Sequence, residues 1–294
     1  MNGERARRSV CSLLLVFSGA TVSAQPVRIA VSDSVRTAER SIISRRELAI
    51  AGVSTLSAVA LMPFDRRITV WSQRPTLQRN ATLSNAATAF RTLGGAETIV
   101  LSLGTYGVGI LTHERTIADI GLHSGGAIVV GTVVGSLLKG TIGRARPATV
   151  SDTTSTDYGL GRGFRRGSAY QSLPSGHTMA AFALASAVAS EAGMRWPRKS
   201  RWITPLVYGA ATLVGASRIY NHAHWASDVA LGAGVGIVSG LAVVRFQHAH
   251  PDNFIDRRLL PASVERGDVR SESRGDGASR FIVDARGVSM NFRF

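Results

Sequence analysis

Three short segments hold the side chains whose types and spacing could do chemistry. The first, Lys139-Gly-Thr-Ile-Gly-Arg144-Ala-Arg146-Pro147, closes an apolar stretch, and the second, Leu173-Pro174-Ser175-Gly176-His177-Thr178, opens another. The third runs Ser217-Arg218, five residues, His224, three residues, Asp228. Lys139, Arg146 and Arg218 supply three cations, two of them with planar forked donors that match phosphate oxygens bidentately. Pro174-Ser175-Gly176 ahead of an apolar run reads as a helix start, with Ser175 as N-cap and the backbone N–H groups near Gly176 aimed at an anion. His224 and Asp228 are four apart, so on one helix they share a face. The carboxylate would then hold one ring nitrogen and leave the other as a lone pair, which makes the imidazole a nucleophile. His177 is a second imidazole, suited to protonating a leaving alkoxide. His222, two residues before His224, would face elsewhere and reads as structural.

Taken singly, each segment has an ordinary reading: a solvated basic face, a helix start, a surface ion pair. Their occurrence together, in this order and each at a helix boundary, points to a site. The pattern K-x6-R-P, P-S-G-H, S-R-x5-H-x3-D resembles the type 2 phosphatidic acid phosphatase and vanadium haloperoxidase superfamily over residues 48–245, most strongly from Lys139 to Asp228. The resemblance implies an all-α bundle and phosphatase chemistry that needs no metal or other cofactor. By it, His224 would attack phosphorus to give a phosphohistidine, Asp228 would orient His224, and His177 would protonate the leaving group. Lys139, Arg146, Ser175, the Gly176 amide and Arg218 would hold the phosphoryl oxygens as charge builds up. The implied substrate is a phosphate monoester or pyrophosphate, on a lipid of the phosphatidic acid or prenyl pyrophosphate type. The same cradle can hold vanadate, so a haloperoxidase is an alternative, as is an exported soluble acid phosphatase of broad specificity. A silent protein that grips anionic lipid or nucleic acid is a third, disfavoured because an anion grip needs no nucleophile.

Six Ala/Gly/Val-rich apolar stretches must position these groups: 48–62, 98–112, 121–138, 178–190, 202–216 and 229–244. Their length and their lack of strand-like alternation predict helices, hence a six-helix core bundle. They run roughly 13 to 18 residues, at or below the length of about 20 that crosses the hydrocarbon of a bilayer. The mean hydropathy of +0.11 is low for a chain of many spans, and His123 and Glu191 stand close beside two of the stretches. In the other direction, 121–138 and 229–244 are nearly uniformly apolar, and Gly236 and Gly240 suit close helix packing. Arg195, Arg198, Lys199 and Arg201 form a basic connector that reads either as cytoplasmic under the positive-inside rule or as a solvated loop.

The 294 residues carry 34 Lys plus Arg against 19 Asp plus Glu, a formal charge of +15, with 45% apolar residues. So apolar a chain is not globally disordered. Its single cysteine, Cys11, excludes an internal disulfide framework and a zinc site built on several thiolates, so a metal site would have to use His and carboxylates. Residues 1–24 have the layout of a secretory signal peptide, with Arg5, Arg7 and Arg8 before an apolar run and Ala24 at the cleavage position. Residues 25–47 read as a polar arm and 246–294 as a polar tail, in which the alternation of Val288, Met290, Phe292 and Phe294 suggests a short strand. The expected protein is exported, faces the periplasm with its site, and associates with a membrane. Its basic surplus fits an anionic membrane surface better than a duplex, and no nucleic acid partner is expected.

Overall fold

The computed structural model describes residues 43–150, 154–250 and 253–260, and the backbone of Arg280–Asp284 and Gly287–Asn291. The expected signal peptide at 1–24, Cys11 and the arm at 25–42 lie outside the described residues. Helix α1 (Arg45–Leu61) starts on a capping box: Ser44 Oγ accepts from Glu47 N and Glu47 reaches back to Ser44 N. After a single 3-10 turn follow α2 (Asp65–Ser72), α3 (Pro75–Gln78), α4 (Ala81–Leu93) and α5 (Glu97–Leu111). Then come α6 (Arg115–Ile142), α7 (Arg162–Arg166), α8 (Gly176–Arg195), α9 (Pro197–Tyr220), α10 (Ala226–Ala249) and α11 (Phe254–Leu259). Arg280–Asp284 pairs antiparallel with Gly287–Asn291, two strands where the alternation suggests one.

Each of the six apolar stretches lies in a helix to within one residue, but the described residues hold more than six helices. The additional ones fall mainly in 65–93, where the apolar pattern is short and Asn80 caps α4 by accepting from Leu83 N. The long helices also outrun their apolar cores: α6 has 28 residues and α9 and α10 have 24 each, because Arg, Thr and Gly at the ends of the stretches continue the helical turn. The limit of about 13 to 18 residues expected from hydropathy is therefore corrected. Arg45–Ser72, Arg115–Thr149 and Ala226–Ala249 are long and apolar enough to cross a membrane, and the bent pair α4–α5 would add a fourth. Large apolar side chains also line the outside of the bundle, among them Leu56, Val100, Leu111, Val133, Leu137 and Leu206, each more than half exposed. An apolar girdle of that extent suits lipid rather than water.

Helix α8 runs through the middle, packed against α6, α9 and α10, with α1 outside α10, α5 outside α6 and α4 outside α9. Its buried face is built of Ala180, Ala181, Ala183, Ala185, Ala187 and Ala192, and side chains that small let several helices approach one axis. Helix α10 answers with glycine. A Cβ at Gly236 would lie 2.3 Å from Met179 O, and one at Gly240 would lie 2.6 Å from Ser186 Cβ. The small pair seen in the sequence is thus the contact line between α8 and α10. At the end of α6, Gly143 takes the left-handed conformation (φ 59°) and turns the chain back, so that Arg144 and Arg146 return into the bundle.

Candidate active site

The three motifs meet at one end of the bundle, where α6 and α9 finish and α8 and α10 begin. Ser175 N donates to Asp228 O (2.9 Å), Lys139 Nζ to Gln171 O (2.9 Å), and Arg146 Nη1 to Ala223 O (3.4 Å), so each motif is tied to another. Ser175 occupies the N-cap position of α8 in extended conformation, as the Pro-Ser-Gly sequence predicts. Its hydroxyl does not close on the helix; it accepts instead from Thr178 Oγ1 at 2.9 Å. The first amides of α8 therefore keep their outward donors. Lys139 stands over that turn: a Cβ at Gly176 would come within 3.7 Å of Lys139 Cε. Arg218 is 7% exposed, and its Nε and Nη1 have no hydrogen-bond partner among the described residues. A buried guanidinium with two unused nitrogens near a helix N-terminus is chemically able to receive an anion.

His224 departs from the helical arrangement expected of it. It lies two residues before α10, in a turn where His222 takes φ 55°, so the i, i+4 spacing to Asp228 is not a shared helix face. His224 Nδ1 instead meets Ser172 O at 2.8 Å, while Asp228 Oδ2 is 3.6 Å away, too far for a hydrogen bond of consequence. The carbonyl can only accept, so Nδ1 carries the proton and Nε2 holds the lone pair. Burial holds the His224 pKa down to about 4 against the opposing pull of Asp228. The ring is therefore neutral at physiological pH, as a nucleophile must be.

Asp228 works through the backbone and its neighbours. Its Oδ2 accepts from Ser172 Oγ (2.5 Å) and Trp225 N (2.9 Å), fixing both the residue that holds His224 and the one that follows it. Its Oδ1 accepts from Arg144 Nη1 at 2.6 Å. Arg144, 1% exposed, also reaches Asp65 Oδ2 (2.7 Å), Ser227 Oγ (2.7 Å) and Ser155 O, with its guanidinium carbon 5.2 Å from the Tyr158 ring and 5.4 Å from the Trp225 ring. Of the two arginines in the first motif, Arg144 is thus structural support and Arg146 faces the cradle. Asp65, wholly buried at the start of α2, completes the support by accepting from Ser227 N at 2.9 Å.

His177 sits in the first turn of α8. Burial, then the charges of Arg218, Arg146, Lys139 and Arg91, push its pKa down to about 4. Arg91 is in the last turn of α4, whose terminal Gly94 presses on His177: a Cβ there would lie 3.1 Å from His177 Cβ. Nothing in the sequence around 91 marks this cation as part of the site. Asp65, Ser172 and Arg91 are residues that motif reasoning misses, and Arg144 is one that it quotes without a role.

Residues 121–252 match the model of the PAP2 superfamily. This stretch is a PAP2-superfamily domain. A relative, the lipid A 1-phosphatase of Porphyromonas gingivalis, is 47% identical over 83 residues, which are 28% of this chain and 18% of that protein. The chain thus matches less than a fifth of that relative's length. Among solved structures, the transmembrane PAP2-type phosphatidylglycerolphosphate phosphatase of Bacillus subtilis superposes with a TM-score of 0.51 at 21% identity, covering 67% of this chain and 93% of that one. LpxE of Aquifex aeolicus gives a TM-score of 0.41 at 25% identity, over 60% and 91%. The Bacillus likeness is one of fold, and it covers two thirds of the chain.

Proposed function

We propose that the protein is a metal-independent phosphatase of lipid phosphates that works through a phosphohistidine on His224. The observation that carries this is the pairing of a neutral His224, proton on Nδ1 and lone pair on Nε2, with the unpartnered buried donors of Arg218 at the same end of the bundle. In the proposed reaction Lys139, Arg146, Arg218, the Ser175 hydroxyl and the Gly176 amide hold the phosphoryl oxygens, and Nε2 attacks phosphorus in line. The P–O bond to the lipid breaks as His177 gives its proton to the leaving oxygen. Water then attacks phosphorus and the Nε2–P bond breaks, with His177 taking a proton from that water and so returning to its starting state. Asp228 keeps the tautomer by locking Ser172.

A lipid substrate is supported by the named activity of the Porphyromonas relative and by the apolar girdle. Beside the site, α7 and the turn before it expose Leu160 and Phe164 next to Arg165 and Arg166, an amphipathic edge suited to a headgroup layer. The basic residues expected to form a connector, Arg195, Arg198, Lys199 and Arg201, instead fall in the last turn of α8 and the first turns of α9, at the opposite end of α8 from the site. With those residues in the cytoplasm, the site opens on the outer face of the inner membrane.

The test is phosphate release from phosphatidic acid, a prenyl pyrophosphate, lipid A and a chromogenic aryl phosphate, in EDTA, by wild type and His224→Ala. Release from at least one lipid by wild type alone is expected. Equal release by both proteins, or none by either, defeats the proposal.

A further inference from the structure

At the end of the bundle opposite the phosphate cradle, three helices bring one polar side chain each to a common point. His123 of α6, Glu191 of α8 and His248 of α10 offer ligand atoms that all lie within 4.8 Å of one another. His123 Nδ1 is 2.6 Å and His248 Nε2 2.8 Å from the same oxygen, Glu191 Oε1. Glu191 is fully buried and His123 is 2% exposed, while the His248 side chain, 33% exposed, forms an open rim. Glu191 lies fifteen positions along α8 from Gly176, which places this cluster about 22 Å from the cradle.

The pairing leaves much unsatisfied. Both rings crowd onto one carboxylate oxygen while, among the described residues, Glu191 Oε2 has no partner and His123 Nε2 has none either. Asp256 of α11, whose charge acts on His123, is 5% exposed and has an unpartnered Oδ1. Unpaired buried polar atoms cost about 1–3 kcal/mol each, so a hydrogen-bonded triad that strands several of them is a poor end state. Two imidazoles and a carboxylate are, however, a ligand set for zinc-type ions, bound at about 2.0–2.2 Å with ligands about 3.4 Å apart. The pairs at 2.6 and 2.8 Å reach that spacing by opening less than 1 Å.

We propose that His123, Glu191 and His248 bind one divalent transition-metal ion of the zinc type, which staples α6, α8 and α10 at the end away from the chemistry. The rim at His248 is the entry path and leaves a fourth position for water. A chain whose one cysteine is Cys11 has to build such a site from His and carboxylates, and His123 and Glu191 stand at the ends of two otherwise apolar stretches.

The test uses the full chain without a histidine tag, in detergent, stripped with chelator and then loaded with Zn2+. Wild type and His224→Ala should each keep one zinc per chain through desalting, and a hundredfold excess over Kd should raise Tm by about 5 °C or more. His248→Ala alters only the exposed rim and should keep its helical spectrum. Its zinc affinity should fall by more than the about 10–100-fold that loss of an outer partner costs, and its Tm should not respond. Glu191→Gln should behave likewise. Failure of wild type to retain zinc or to shift in Tm would overturn the proposal, as would retention by His248→Ala equal to wild type. Zinc that is lost in His224→Ala but kept in His248→Ala would also overturn it. These readouts are independent of phosphatase activity.

Discussion

Arg144 donates to Asp228 Oδ1 at 2.6 Å from one arm of its guanidinium and, from the other, to Asp65 at 2.7 Å. Two buried carboxylates from α2 and α10 are thereby neutralised by one cation that never faces the cradle. Removing it strands both. Arg144→Ala should destabilise the protein by about 3–5 kcal/mol, the range for breaking a buried ion pair. Asp65→Asn, which keeps the shape, should cost less and lower kcat more than it raises KM, because its effect reaches His224 only through Arg144, Ser227, Asp228 and Ser172. Chemical denaturation in detergent and steady-state kinetics check both, and a double-mutant cycle between positions 65 and 144 should show strong coupling.

Arg218 presents the opposite case. With Nε and Nη1 buried and unpartnered among the described residues, it is a cost to stability that the proposed phosphate ligand would relieve. Arg218→Met should leave the ligand-free protein as stable as wild type or more stable, by up to about 1–3 kcal/mol, and should lower kcat by about 10²–10³-fold. Tungstate or vanadate should raise the Tm of wild type and not of the variant.

Burial first, and then the cations proposed to hold the substrate, keep His177 neutral, at a pKa of about 4, whereas its proposed duty as an acid needs the proton. A bound phosphate dianion offsets part of the field of Arg218, Arg146, Lys139 and Arg91, so the His177 pKa should rise on binding while burial still opposes it. Titration of its ring by NMR, with and without tungstate, should show the midpoint move up toward neutrality in the complex. An unmoved midpoint contradicts the assignment. Arg91→Ala should raise the His177 midpoint of the free protein, because one of the charges holding it down is gone.

Close contact of α8 and α10 is what aligns the second and third motifs. Gly236→Leu would drive side-chain atoms toward Met179 O, already 2.3 Å from where a Cβ would sit. Overpacking of this kind costs about 1–3 kcal/mol, and here it should also separate Ser175 from Asp228. Thermal unfolding and kcat should fall together, whereas Gly52→Ala, with nothing within 4 Å, should change neither.

The three motifs and the six long helices could be read from the sequence because each is local: a spacing, a cap, an apolar run. The supports could not. Asp65 acts on partners 79 and 162 positions away, and an isolated carboxylate in a polar connector has no signature until the fold buries it. The four-residue step from His224 to Asp228 suggested a helix, but the left-handed His222 and the N-cap at Trp225 place the histidine outside it. A backbone carbonyl, Ser172 O, then took the role expected of the carboxylate, and carbonyl acceptors are invisible to any reading of side-chain types. The additional helices at 65–93 escaped for a related reason. Their apolar runs are short, and α4 is positioned by Gly94 against His177 rather than by a strong pattern of its own.

The proposed nucleophile can be caught in the act. Wild-type protein mixed with a 32P-labelled lipid phosphate and quenched in alkali within milliseconds should carry an alkali-stable, acid-labile phosphoryl group on the peptide containing His224. Because Nδ1 donates to Ser172 O, the product should be the Nε2-phosphohistidine isomer. Label on another residue, label on Nδ1, or label that persists in His224→Ala would contradict the central claim.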